Sequence, residues 1–129
     1  MGIIVNDMVL AKKLYSDILE LEFSHEEKYQ DEVNIAFYPV GESQIELIAD
    51  IHEGGPVNEI IADKGEGIHH IALEVENIYI AVDELISKGV PMRDKAPKAG
   101  AHGSMVAFLD PSYTHGVLIE IVQLGCNES

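Results

Sequence analysis

Three side chains placed inside apolar strands have the chemistry to hold a metal ion or move a proton. They are Glu46 in SQIELIA, His70 in HHIALEV and Glu120 in GVLIEIVQ. A glutamate within a run such as VLIEIV is unusual, because a carboxylate taken out of water must be paired or bound to a cation. Two of them at equivalent places in a repeated pattern are harder to dismiss than one. An imidazole with two carboxylates is a donor set for a divalent ion such as zinc, cobalt, manganese or nickel. The same carboxylates are suited to general acid–base work. A lone strand histidine is as well explained as a satisfied core or surface residue, so the paired glutamates carry the argument. Glu66 and Glu74 have no counterpart in the repeat and read as solvated surface.

These residues need elements to bring them together, and the sequence writes one unit twice. Met1–Asp7 lies over Ile71–Asn77, Ile35-Ala36-Phe37 over Val106-Ala107-Phe108, and Ile45-Glu46-Leu47 over Ile119-Glu120-Ile121. The first copy predicts a short strand, then a helix across NDMVLAKKLYSDILEL capped by Asn6 or Asp7, with Leu10, Leu14, Ile18 and Leu21 on its apolar stripe. Strands LEFSHEEKY, VNIAFYPV and SQIELIA follow. The second copy predicts HHIALEV, a helix capped by Asn77 with Ile78, Ala81, Val82, Leu85 and Ile86 on its apolar face and Gly89 at its end, then VPMRD, SMVAFLD and GVLIEIVQ. A bridge, GGPVNEIIADKGEG, reads as a further helix from Pro56 to Gly65. The expectation is an α+β fold of two tandem β-α-β-β-β modules in one domain, 1–129: module one 1–50, linker 51–66 and module two 67–124.

Strand alternation then sorts the faces. His69, Ile71, Leu73 and Val75 should lie under the helix, with His70, Ala72 and Glu74 opposite. Ile45 and Leu47 should go under, leaving Gln44, Glu46 and Ile48 away from the helix. Val117, Ile119 and Ile121 should go under, leaving Leu118, Glu120 and Val122 outward. Glu46, His70 and Glu120 are therefore all expected on the face away from the helix. A mixed sheet curled around a cleft would draw them together.

Composition narrows the partners. The 129 residues are 47% hydrophobic and 24% charged, the balance of a folded chain. No run approaches the roughly 18 apolar residues of a membrane span, and no basic leader precedes an apolar segment. The formal net charge of −15 opposes nucleic acid and anionic membranes alike. Yet half of the eight basic residues, Lys88, Arg93, Lys95 and Lys98, fall within KGVPMRDKAPK, either as a solvated loop or as a landing strip for phosphates. The single cysteine, Cys126, excludes an internal disulfide and fits a reducing cytoplasm. In a polar tail it is a poor nucleophile.

The stretch GEGIHHIALEVENI, together with KAGAHGSMVAFLDP and THGVLIEIV, closely resembles the methylmalonyl-CoA epimerases of the vicinal oxygen chelate (glyoxalase/bleomycin resistance/dioxygenase) superfamily. The likeness runs from MGIIVNDM through GVLIEIVQ. It implies paired modules curled around one divalent metal, held by a His of the first strand, a Glu or Gln of the fourth, a His of the fifth and a Glu of the eighth. The last three fall on Glu46, His70 and Glu120. It also implies an acyl-CoA substrate and a homodimer. The implied reaction is 1,1-proton transfer at the carbon between a thioester and a carboxylate, through a metal-stabilised enolate. Glu120 and Glu46 are then the expected proton-transfer groups. The loop Gly100-Ala101-His102-Gly103 would meet the substrate, with His102 at its carboxylate, unless it is only a tight turn. Lys95 and Lys98 would receive coenzyme A phosphates.

Two departures stand out. The position ahead of Met1, equivalent to His70, is where the first ligand belongs. Its absence is read as a natural chain that continues upstream with the histidine. The alternatives are a site of three protein ligands and water, or a lost metal site. For the chain as written, weak metal occupancy and low epimerase activity are expected. The second departure is Asn34, where some family members carry an acid; an amide cannot exchange protons at a useful pKa. Competing readings of the same fold are a glyoxalase-like lyase or isomerase of the lactoylglutathione lyase type, and a metal-free small-molecule binding protein.

Overall fold

The computed structural model describes residues 1–125, so Cys126 lies outside the described residues. The chain forms two compact units, Met1–His69 and a second that begins at His70. In the first unit, β1 (Gly2–Ile4) leads into α1 (Met8–Lys12), which continues as a π-helical stretch, Lys13–Ile18. Strands β2 (His25–Tyr29), β3 (Val33–Val40) and β4 (Ser43–Asp50) follow, then α2 (Pro56–Lys64). The strand order is β2-β3-β4-β1, with β1 parallel to β4 and the other pairs antiparallel.

Asp7 caps α1 by accepting the Leu10 amide at 3.1 Å, and α2 starts at Pro56 and ends at Gly65, as the sequence predicts. Of the predicted stripe on the first helix, Leu21 packs inward and the other three residues do not. Met8, Ala11, Tyr15 and Leu21 pack against Val5, Ala36, Tyr38, Leu47 and Ala49, whereas Leu10, Leu14 and Ile18 are exposed by 64, 43 and 64%. The helical spacing itself holds, since Met8, Ala11 and Tyr15 lie three and four residues apart; what differs is the phase, and Leu10 already faces solvent before the π-helical turns begin at Lys13. The contrast is testable by chemical denaturation. Leu47→Ala should cost about 2–5 kcal/mol, since Leu47 is fully buried. Leu10→Ser should change stability by no more than about 0.5 kcal/mol.

The second copy begins in β5 (Gly67–Glu74), whose first three residues belong to the first unit. The helix α3 (Ile78–Ser87) is capped by Asn77, which accepts the Tyr79 and Ile80 amides at 3.1 and 3.2 Å. Strands β6 (Lys98–Ala99), β7 (Met105–Phe108) and β8 (Ile119–Gln123) complete it in the order β5-β8-β7-β6. Its core joins Ile78 and Val82 of α3 to Met92, Ala107, Leu109 and Ile121. Ile86, assigned to the same helix face by its spacing, is 45% exposed.

The predicted strand VPMRD is only a single bridge, Met92 to Leu109; the short edge strand forms later, at Lys98–Ala99. The Arg93 and Asp94 amides both donate to the Phe108 carbonyl, at 2.9 and 3.1 Å. Two residues therefore oppose one, as in a bulge, and the ladder cannot run on. No helix among the described residues is long and apolar enough to cross a membrane.

Candidate functional site

Register places the glutamates on equivalent rungs. In the first unit Glu46 lies opposite Gly2 of β1 and Phe37 of β3. In the second, Glu120 lies opposite Ala72 of β5 and Phe108 of β7. Their strand neighbours Leu47 and Ile121 go into the helix-side cores, so both glutamates face away from the helices, as alternation requires. The predicted faces of β4 and β8 are the observed ones. On β5 only Val75, just past its end, packs in the α3 core, and Leu73 is half exposed.

Within the second unit, His70 and Glu120 come together. The imidazole Nε2 is 4.0 Å from Glu120 Oε1, and the two side chains are only 8 and 16% exposed. Phe108 meets the His70 ring edge-on, with centroids 5.8 Å apart at 88°. Two donors bound to one ion at about 2.1 Å can be no more than roughly 4.2 Å apart, and are roughly 3.4 Å apart in a tetrahedral site. The pair thus needs only a small side-chain rotation to share a cation. An imidazole and a carboxylate are the donors a zinc-, cobalt- or manganese-type ion takes.

In the first unit, Glu46 is partly buried, and burial pushes its carboxyl above the usual carboxylate range. The Met1 ammonium and a long hydrogen bond from Gln44 Nε2, 3.4 Å, work against that rise, while the charge of Glu27 adds to it. The residues around Glu46 include two that sequence reasoning missed. His25 and Glu27 occupy the same face of β2, opposite Phe37 and Ile35, with His25 Nε2 3.8 Å from Glu27 Oε2. The His25 ring stacks on Phe37, 4.5 Å between centroids at 13°. Period-two alternation in HEEKY was the available signal, but without a register it does not say which face is which. Asn34 pairs with Lys28 and Ala49 and so shares the helix-side face with Ala36 and Tyr38. An acid at that position would point away from the Glu46 face, so its replacement by an amide removes nothing from this site.

The Gly100–Gly103 loop is a tight turn with its own hydrogen bonds. The Gly100 amide donates to the Ser104 carbonyl at 2.9 Å, and Ser104 Oγ donates to the Ala101 carbonyl at 2.6 Å. His102 sits at φ 60° and Gly103 at φ 72°, both in the left-handed region. A Cβ on Gly100 would fall 2.6 Å from Ser104 Oγ and 2.8 Å from Val106 Cγ1. Gly100→Ala should therefore destabilise the protein by about 1–3 kcal/mol, read from thermal or urea unfolding. Lys95 is exposed, whereas Lys98 is paired with Asp94 at 3.3 Å. Glu66, read from the sequence as solvated, accepts the Asn6 amide at 2.7 Å.

The family described as Glyoxalase/Bleomycin resistance protein/Dioxygenase superfamily matches residues 1–108. A Bacillus subtilis protein named "Uncharacterized protein YqjC" is 34% identical over 123 residues, covering 95% of this chain and 88% of that protein. An ethylmalonyl-CoA/methylmalonyl-CoA epimerase of Cereibacter sphaeroides is 34% identical over 126 residues, covering 95% of this chain and 94% of its own length. A solved methylmalonyl-CoA epimerase in complex with methylmalonyl-CoA and ammonium superposes with a TM-score of 0.87 at 28% identity, over 99% of this chain and 94% of that one.

Proposed function

The chain belongs to the Glyoxalase/Bleomycin resistance protein/Dioxygenase superfamily, and on that premise we propose that it is an epimerase interconverting the two epimers of methylmalonyl-CoA. The observation that carries this reading is the buried His70–Glu120 pair on the face away from α3, in a chain whose relatives include named epimerases. His70, Glu120 and Glu46 are the proposed ligands of a divalent ion. When bound, that ion supplies Lewis-acid stabilisation of negative charge developing on the substrate's thioester oxygen.

The protein's own groups do the rest. Glu120 removes the proton from the carbon between thioester and carboxylate, and Glu46 returns one from the opposite face, directly or through a water it holds. Burial suits Glu46 to the protonated half of that exchange, because it favours the neutral acid. Phe108 and Phe37, each beside a glutamate on its rung, keep water from the reacting faces. The Gly100–Gly103 turn, exposed at His102 and Gly103, and Lys95 are the proposed contacts for the rest of the acyl-CoA. Homodimeric assembly and residence in the cytoplasm are part of the same proposal.

The test is exchange of solvent deuterium into methylmalonyl-CoA, with and without added cobalt or manganese. Metal-dependent exchange at the carbon between the carbonyls supports the epimerase. Metal binding without exchange points to a lyase of the lactoylglutathione type, and no metal binding at all points to a binding protein; either outcome sinks the proposal.

A further inference from the structure

The carboxylate of Asp94 engages two partners, one through each oxygen. Oδ2 accepts the Phe108 backbone amide at 2.9 Å, and Oδ1 pairs with the Lys98 ammonium at 3.3 Å. The backbone amides of Arg93 and Asp94 donate to the Phe108 carbonyl. Both polar groups of the Phe108 main chain are thus clamped by the same short stretch. The Asp94 side chain is 17% exposed, so its bond to the Phe108 amide is sheltered from competition with water, while the Lys98 end of the ion pair is 54% exposed.

The clamp continues through the ring. Lys98 Nζ lies 5.5 Å from the Phe108 ring centroid, and the imidazole of His70 meets that same ring edge-on at 5.8 Å.

We propose that Asp94 is a positioning residue for His70, acting through Phe108. It locks the Phe108 main chain directly and holds Lys98 over the ring, and the ring edge sets the plane of the imidazole. The inference rests on the reading of His70 as a metal ligand. Ligand histidines lose about 10–100-fold in metal affinity when the groups that orient them are removed. A contact that only stabilises the fold would not shift the ring itself.

The experiment compares the full-length protein with its Asp94→Ala, Asp94→Asn and Phe108→Leu variants, first without metal by NMR and then by cobalt titration. In Asp94→Ala the His70 ring-proton resonances should move, and cobalt affinity should fall about 10–100-fold. Asp94→Asn keeps an acceptor for the Phe108 amide and should recover most of that loss. Phe108→Leu should reproduce the Asp94→Ala loss even if Asp94→Ala does not fold. A folded Asp94→Ala with unmoved His70 resonances, or failing that a folded Phe108→Leu with unchanged cobalt affinity, overturns the proposal. If the unaltered protein binds no cobalt, the epimerase reading fails, and the metal-free NMR comparison still decides the role of Asp94.

Discussion

Glu120→Gln is expected to lower the rate of methylmalonyl-CoA epimerisation by roughly 10²–10⁴, the range for loss of a general acid–base group. Glutamine keeps the size of the side chain and its place on the rung beside Phe108 and Ala72. It removes the charge and the proton-accepting oxygen. Cobalt affinity, measured by titration calorimetry, should fall with it, because His70 loses its carboxylate neighbour at 4.0 Å. A carboxylate whose only work was to pair with a buried imidazole would leave the opposite signature, with stability changed and turnover within a few-fold. Measuring both quantities on one preparation separates the two roles.

Glu46→Gln should cut turnover by a comparable roughly 10²–10⁴-fold and yet stabilise the metal-free protein at neutral pH. Burial raises the Glu46 carboxyl above its ordinary range, so the folded state holds that proton more tightly than the unfolded chain. From the unfolded value up to the raised native one, the native state therefore binds more protons. Across that window its stability falls as pH rises, and above it the cost stays in full. Glutamine at 46 carries no charge at any pH. The melting temperatures of the two chelator-treated proteins should coincide in acid and separate through the window, the variant melting higher at neutral pH. A variant that melts lower at neutral pH would mean that the Met1 ammonium and the hydrogen bond from Gln44 together outweigh desolvation, and that Glu46 is an ordinary ionised carboxylate.

On the proposed role, a trade between stability and activity accounts for a glutamate in a strand as apolar as IELIA. Selection for packing alone would favour valine or isoleucine there. A group that is costly to bury, recurring on equivalent rungs of two copies, points to function. That much was legible because the copies align residue for residue and the two glutamates stand out against apolar neighbours. The Asn77 and Asp7 caps and the Pro56 and Gly65 ends of α2 were legible for a similar reason. Each is decided by hydrogen bonds or backbone angles within a few residues.

What sequence alone determined is therefore the set of local and periodic features: two copies of one unit, the helix ends, and the faces of β4 and β8 on which Glu46 and Glu120 lie. Side chains alternate at every step of a strand, so once one neighbour is known to be buried the others follow. Only tertiary structure decided which way the first helix turns its apolar residues, where the edge strand of the second copy forms, and that Asp94 reaches Phe108 and, through it, His70. The phase of the first helix against its sheet, a two-against-one bulge and a contact across 14 residues all arise from packing between segments, and no period in the chain encodes them.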